Sequence, residues 1–279
     1  MPPAPPFLSN APADVAAWIA CFQQRETPVF ASTARAIADL GANEDAVDAN
    51  MLSEALSNDP LMVLKLLRHV AERRSARAVT DVETVTAAIV LMGIPPFFRA
   101  FSDQPTVEDR LASDPLALEG LQTVLLRANR AAQFALGFAV HRLDHDAAVI
   151  HEAALLHDFA EMLLWVHAPA LARNIALRQR AEPTLRSADV QRQLLNVTLS
   201  DLQQALMKAW RLPELLVRIS DDQASTSPQV RNVQLAIRVA RHSARGWDNP
   251  ALPDDIADIA QLLNMSHDPT LQLLHEIDS

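Results

Sequence analysis

The chain has no tyrosine, only five glycines and a single cysteine among its 279 residues. It therefore lacks much of what strands and hairpins draw on, while its abundant alanine and leucine favour helices. One cysteine, Cys21, rules out an internal disulfide and fits a reducing compartment. No apolar run reaches the roughly 20 residues that a membrane-spanning helix needs. The opening stretch, MPPAPPFLSNAPADV, lacks the basic and long apolar regions of a secretion signal, so a cytoplasmic location is expected. A formal net charge of −10 argues against general affinity for nucleic acid. The signatures of P-loop, dinucleotide and serine-hydrolase sites are missing as well.

What is present is helical periodicity over a hydrophobic content of 49%, enough for a substantial core. A first helix is predicted over residues 14–25, with Val15, Trp18, Ile19 and Phe22 on one stripe. Others follow over 32–40, stopped by Gly41, and over 46–56. Asn58-Asp59-Pro60 reads as a cap followed by proline at the first helical position, opening 60–73. Thr80 or Asp81 is a candidate cap for 82–92, which Gly93-Ile94-Pro95-Pro96 ends. Residues 97–120 are mixed, and a long helix fits 121–141. Later helices are expected over 170–180, over 187–210 with a split near 196–200, over 213–221 and 228–245, and in two short tail segments. No strand shows convincing alternation.

Residues 153–165, AALLHDFAEMLLW, put His157 and Asp158 in the middle of a strongly apolar run that reads as one helix. An isolated buried carboxylate is costly, so Asp158 needs a donor, a cation or a metal. Adjacent helical residues point about 100° apart, which lets a histidine and the aspartate after it approach one ion. The plainer reading is a His and Asp satisfied by protein donors. Other candidates carry less. His151 and His157 are six apart, too far round a helix to share an ion as a zincin pair would. His141 and His145 straddle a polar turn, and Cys21 on its apolar helix reads as a small core residue. Residues 65–77 hold Lys65, Arg68, Arg73, Arg74 and Arg77, which reads as a solvated helix end or, less simply, a docking patch for an acidic partner.

Three stretches together resemble the HDOD domain, the HD-related output domain of bacterial signalling proteins. They are residues 26–40, ETPVFASTARAIADL; residues 58–93, with Asp59-Pro60, Leu66-Leu67-Arg68, Val79-Thr80-Asp81-Val82 and Leu91-Met92-Gly93; and residues 153–164 with the His157-Asp158 pair, followed by Lys208-Ala209-Trp210-Arg211-Leu212-Pro213. The resemblance implies an all-α, two-lobed helical bundle: an N-terminal segment with its first helix over 1–23, an HDOD domain over 24–246, and a helical extension over 247–279. Within the domain it implies an N-terminal lobe to about Phe101 and an HD-like lobe from about Leu121.

The departures from the pattern bear on activity. An active HD phosphohydrolase resembling this chain would have metal ligands where Asn129, Leu199, Asp221 (with Asp222 beside it) and Ile237 stand. No histidine lies between His167 and His242 to replace them. A catalytic metal needs about three protein ligands and an open position for water. The resemblance therefore implies no catalytic residues, no metal and no cofactor, with His157 and Asp158 a structural remnant that Asn129, Arg127 or Arg130 would satisfy. The expected function is a non-catalytic signalling or scaffolding module acting on a protein partner, without nucleic acid or membrane. The alternatives are a nucleotide or anion sensor in the former metal pocket and a degenerate phosphohydrolase.

Overall fold

The computed structural model describes residues 5–73, 82–182, 184–221 and 227–279. Over these the regular structure is helical, including one 3-10 turn at Glu44–Ala46, and the β pairing is limited to two isolated bridges, Val29 with Thr106 and Ala244 with Gly246. In order the helices are α1 (Val15–Gln23), α2 (Ala31–Gly41), α3 (Ala49–Leu56), α4 (Pro60–Arg73), α5 (Val85–Met92), α6 (Ile94–Phe101), α7 (Val107–Arg110), α8 (Pro115–His141), α9 (Ala147–Leu156), α10 (Phe159–His167), α11 (Pro169–Ala181), α12 (Ser187–Leu195), α13 (Leu199–Ala209), α14 (Glu214–Ile219), α15 (Pro228–His242), α16 (Leu252–Leu263) and α17 (His267–Ile277). None is long and apolar enough to cross a membrane, among the described residues.

Backbone packing divides the chain into two units. One takes Met1–Val124 and Asp158–Leu212, the other Leu125–His157 and Pro213–Ser279. The division thus falls within α8 and again between His157 and Asp158. The reason lies in the packing of α10, which contacts α4, α11 and α13 and so groups with the N-terminal helices.

In the first unit Trp18, Phe22, Ile37, Leu56, Phe97, Phe101, Phe159 and Trp210 form part of the core. Capping fixes its helix starts. Asp14 accepts from Ala17 N, Asp48 from Asn50 N and Met51 N, and Thr84 from Ala87 N. Thr84 is thus the cap of α5; the earlier candidates, Thr80 and Asp81, lie outside the described residues. Asp59 does more than cap. Its Oδ1 accepts from Leu61 N and Met62 N at 3.0 Å each, while Oδ2 accepts from Phe30 N at 2.8 Å at the start of α2. Burial pushes its carboxyl pKa up, against hydrogen bonds from Phe30, Met62, Thr33 and Leu61. The predicted split near 196–200 is present: Asn196 ends α12 in the left-handed region, and Thr198 caps α13.

The second unit packs α9 on α14 and α15, α15 on α16, and α16 on α17. Phe134, Phe138, Ile150, Leu155, Val233 and Ala236 are among its buried residues. Asp255 on α16 is fully buried between His242 Nδ1, at 2.5 Å, and Arg238 Nη2, at 2.6 Å, both on α15. Arg130 on α8 donates to both carboxylate oxygens of Asp278 at 2.8 Å, to Ala240 O and to Ser243 Oγ. Besides Asn196, three non-glycine residues adopt positive φ among the described residues: Leu143 (57°), Arg211 (54°) and Asn264 (53°).

Candidate functional site around the His-Asp pair

The run expected to be one helix over 153–165 is two. Helix α9 stops at Leu156, His157 keeps right-handed helical angles as its cap, and Asp158 turns away at φ −106°, ψ 18° to begin α10. The Asp158 carbonyl accepts from Met162 N at 3.1 Å. Polar residues at two successive positions of an apolar run are where a buried helix can end, because aspartate is a poor helix-interior residue. The Asp158 side chain makes no capping bond here, which leaves it for other partners. Both side chains are half-buried, and each engages a neighbour.

The expected ligand positions are placed as follows. Asn129 is half-buried on α8, and its amide donates to Leu125 O, one turn back, at 3.1 Å. Ile237 is a core residue of α15 at 6% exposure. Asp221 follows α14, and Asp222 lies outside the described residues. These three and His157 belong to the second unit, where α9 packs against α14 and α15. Asp158 and Leu199 belong to the first unit. Leu199 opens α13, and its N–H is taken by Gln191 Oε1 at 2.9 Å. Among the described residues no group of three or more His, Cys, Asp or Glu side chains is set to hold a metal ion. Arg130, one expected counter-charge for Asp158, is instead spent on Asp278, because α17 brings that carboxylate to its guanidinium.

Two other stretches of the resemblance meet in the first unit. The Arg68 guanidinium lies 4.8 Å over the Trp210 ring and donates to Glu72 at 2.8 Å. Gln23, Arg68, Glu72, Ala209, Trp210 and Arg211 line an open hollow of about 340 Å³ there. Trp210 is 3% exposed, the buried anchor expected from its stripe with Leu202, Leu206 and Met207. The basic stretch 65–77 is not a plain solvated helix end. Lys65 is largely buried beside Glu26, and burial lowers its pKa; Arg74 and Arg77 lie outside the described residues. Cys21 is half-buried rather than core, and its sulfur accepts from Arg25 Nε at 3.3 Å. His141 and His145 are exposed.

The profile of the HDOD domain family matches residues 27–225. No curated protein matches the chain. Among solved structures, the MmoQ response regulator of Methylococcus capsulatus is similar at 20% identity and a TM-score of 0.65, covering 89% of this chain and 98% of that one. A virulence factor (cj0248) of Campylobacter jejuni is similar at 14% identity and a TM-score of 0.65, covering 95% and 98%. These two likenesses concern the fold. With the family profile spanning most of its length and the fold agreeing, the chain belongs to the HDOD domain family of HD-related, signal-transduction proteins.

Proposed function

We propose that this chain is a non-catalytic signalling and scaffolding module of a bacterial cytoplasm that acts by binding a protein partner. The observation that carries the proposal is the ligand set. His157 and Asp158 keep the pair, but the further positions hold Asn129, Leu199, Asp221 and Ile237. Leucine and isoleucine have no donor atom, and a neutral amide is a weak one. With too few ligands, no bound metal generates hydroxide at neutral pH. The pair then serves structure, at the junction of α9 and α10. Support for partner binding comes from exposed apolar residues on mutually packed helices: Met51 on α3 and Val90 and Leu91 on α5, the last two more than half exposed. One of the similar structures is described as a response regulator, and the proposal extends a signalling role of that kind to this chain.

The test is elemental analysis of protein purified without chelator, with turnover assays on phosphomonoesters and phosphodiesters in added manganese, iron and zinc. The expected result is substoichiometric metal and no turnover, with His157→Ala and Asp158→Ala lowering the melting temperature. Near-stoichiometric metal, or hydrolysis lost in a folded His157→Ala variant, overturns the proposal in favour of an enzyme.

A further inference from the structure

Three consecutive residues ahead of α1 each touch a different basic residue of the first unit. The Pro6 carbonyl accepts from Arg25 Nη1 at 2.9 Å, the Phe7 ring lies 4.2 Å from the Arg110 guanidinium, and the Leu8 N–H donates to the His167 carbonyl at 2.8 Å. Arg25 follows α1, Arg110 closes α7 and His167 closes α10. The bridge between Val29 and Thr106 holds α7 to the α1–α2 connection, through Val29 N to Pro105 O at 3.0 Å and Val107 N to Val29 O at 2.8 Å. The Phe22 ring, 5.8 Å from the imidazole, brings α1 against the end of α10.

This cluster has cations and donors but no acid. Arg110 Nη2 and His167 Nδ1 are both buried without a hydrogen-bond partner. His167 is only 3% exposed. Burial, and then the charge of nearby Arg25, lower the Arg110 pKa, and burial followed by both guanidinium charges lowers that of the imidazole. The acidic neighbours on α7 are committed elsewhere, Glu108 to Ala31 N and Asp109 to Thr106. Among the described residues no carboxylate pairs with Arg25 or Arg110. A desolvated guanidinium without a counter-charge is costly, and so is a buried donor with no acceptor. Guanidinium forks bind planar or tetrahedral oxyanions through paired hydrogen bonds. A neutral imidazole protonated at Nδ1 adds a donor without adding charge.

We propose that Arg25, Arg110 and His167 form a binding site for a small free oxyanion, a phosphate or carboxylate group, covered by residues Pro6–Leu8. Phe7 lies against the Arg110 guanidinium, which withdraws part of the site from bulk water and strengthens ion pairing there. The site is separate from the His157-Asp158 pair and does not depend on how that pair is used.

Titration calorimetry of the full chain with inorganic phosphate, in chloride buffer of constant ionic strength, tests the site, and a parallel titration with acetate tells whether a carboxylate suffices. Saturable binding of about one anion per chain is expected, weakened at least tenfold in Arg110→Met and in Arg25→Met and less in Arg110→Lys. If a methionine variant fails to fold, phosphorus NMR of the wild type with increasing phosphate gives the reading alone. Absence of saturable binding of either anion to the wild type overturns the proposal, as does unchanged affinity in folded Arg110→Met and Arg25→Met.

Discussion

The Asp59 carboxylate and the Phe30 backbone N–H, 29 residues apart, share a hydrogen bond of 2.8 Å at 3% exposure of the aspartate. One side chain therefore fixes the starts of two helices, α4 through Leu61 and Met62 and α2 through Phe30. Asp59→Ala leaves three buried N–H groups without an acceptor and is expected to cost about 3 kcal/mol or more. Asp59→Asn keeps one oxygen and should fall between that variant and the wild type. Urea denaturation checks both, and an unchanged midpoint for Asp59→Ala would count against the tether.

Trp210 is expected to behave as a core anchor. Trp210→Ala should cost about 3–5 kcal/mol through the cavity it leaves. Arg68→Ala should cost far less on its own. A double-mutant cycle should return a coupling of about 0.5–2 kcal/mol for the stacked pair. A melting temperature unmoved by Trp210→Ala would contradict the burial.

Two glycines of α8 predict different outcomes. A Cβ at Gly120 would come within 2.6 Å of three atoms of the Trp165 ring, which is itself buried at 6% exposure. A Cβ at Gly137 would meet the flexible tip of Ile277 instead. Gly120→Ala should therefore destabilise by about 1–3 kcal/mol, since a rigid ring cannot step aside. At Gly137 the gain of about 1 kcal/mol in helix propensity should offset the adjustment of Ile277, leaving thermal unfolding nearly unchanged.

The buried imidazole predicts an acid sensitivity. Burial, then the charges of Arg110 on α7 and Arg25 beyond α1, lower the His167 pKa from 6.5 to about 3. Between those values the unfolded chain binds a proton that the folded chain refuses, so stability falls as the pH drops. The slope from this one group approaches about 1.4 kcal/mol per pH unit below 6.5. His167→Leu should flatten the decline in chemical stability between pH 6.5 and 4. An unchanged slope would mean that other groups carry it.

Local patterns made the helices readable, because each apolar stripe and cap lies within a few residues of itself. Trp210 as an anchor and the break after Leu195 followed from such stripes. The end of α9 did not. The apolar run continues on both sides of it, and a polar pair inside such a run is as compatible with a buried contact as with a helix end. The pairing of Arg130 with Asp278 was equally hidden, since it spans 148 residues. The identities of Leu199 and Ile237 are legible in the sequence, while their places in the fold, at the start of α13 and in the core of α15, come from the structure. The cluster of Arg25, Arg110 and His167 comes from three separate elements and carries no sequence signal. The bridge at Val29, the Phe22–His167 contact and the path of Pro6–Leu8 gather those three elements.

The left-handed residues at helix ends have a consequence for a chain with five glycines. Holding a side chain in that conformation costs about 1–2 kcal/mol. Glycine would remove that cost but bring roughly 0.5–1 kcal/mol of extra freedom to the unfolded chain. The two nearly cancel, so a tight corner can keep a side chain at little expense to folding. Asn196 uses its corner to donate from Nδ2 to Pro12 O at 3.0 Å, tying down the segment that leads into α1. Arg211, at its corner, is one of the residues that line the hollow beside Trp210. Where glycine would have supplied only a bend, the bend here also carries a functional group.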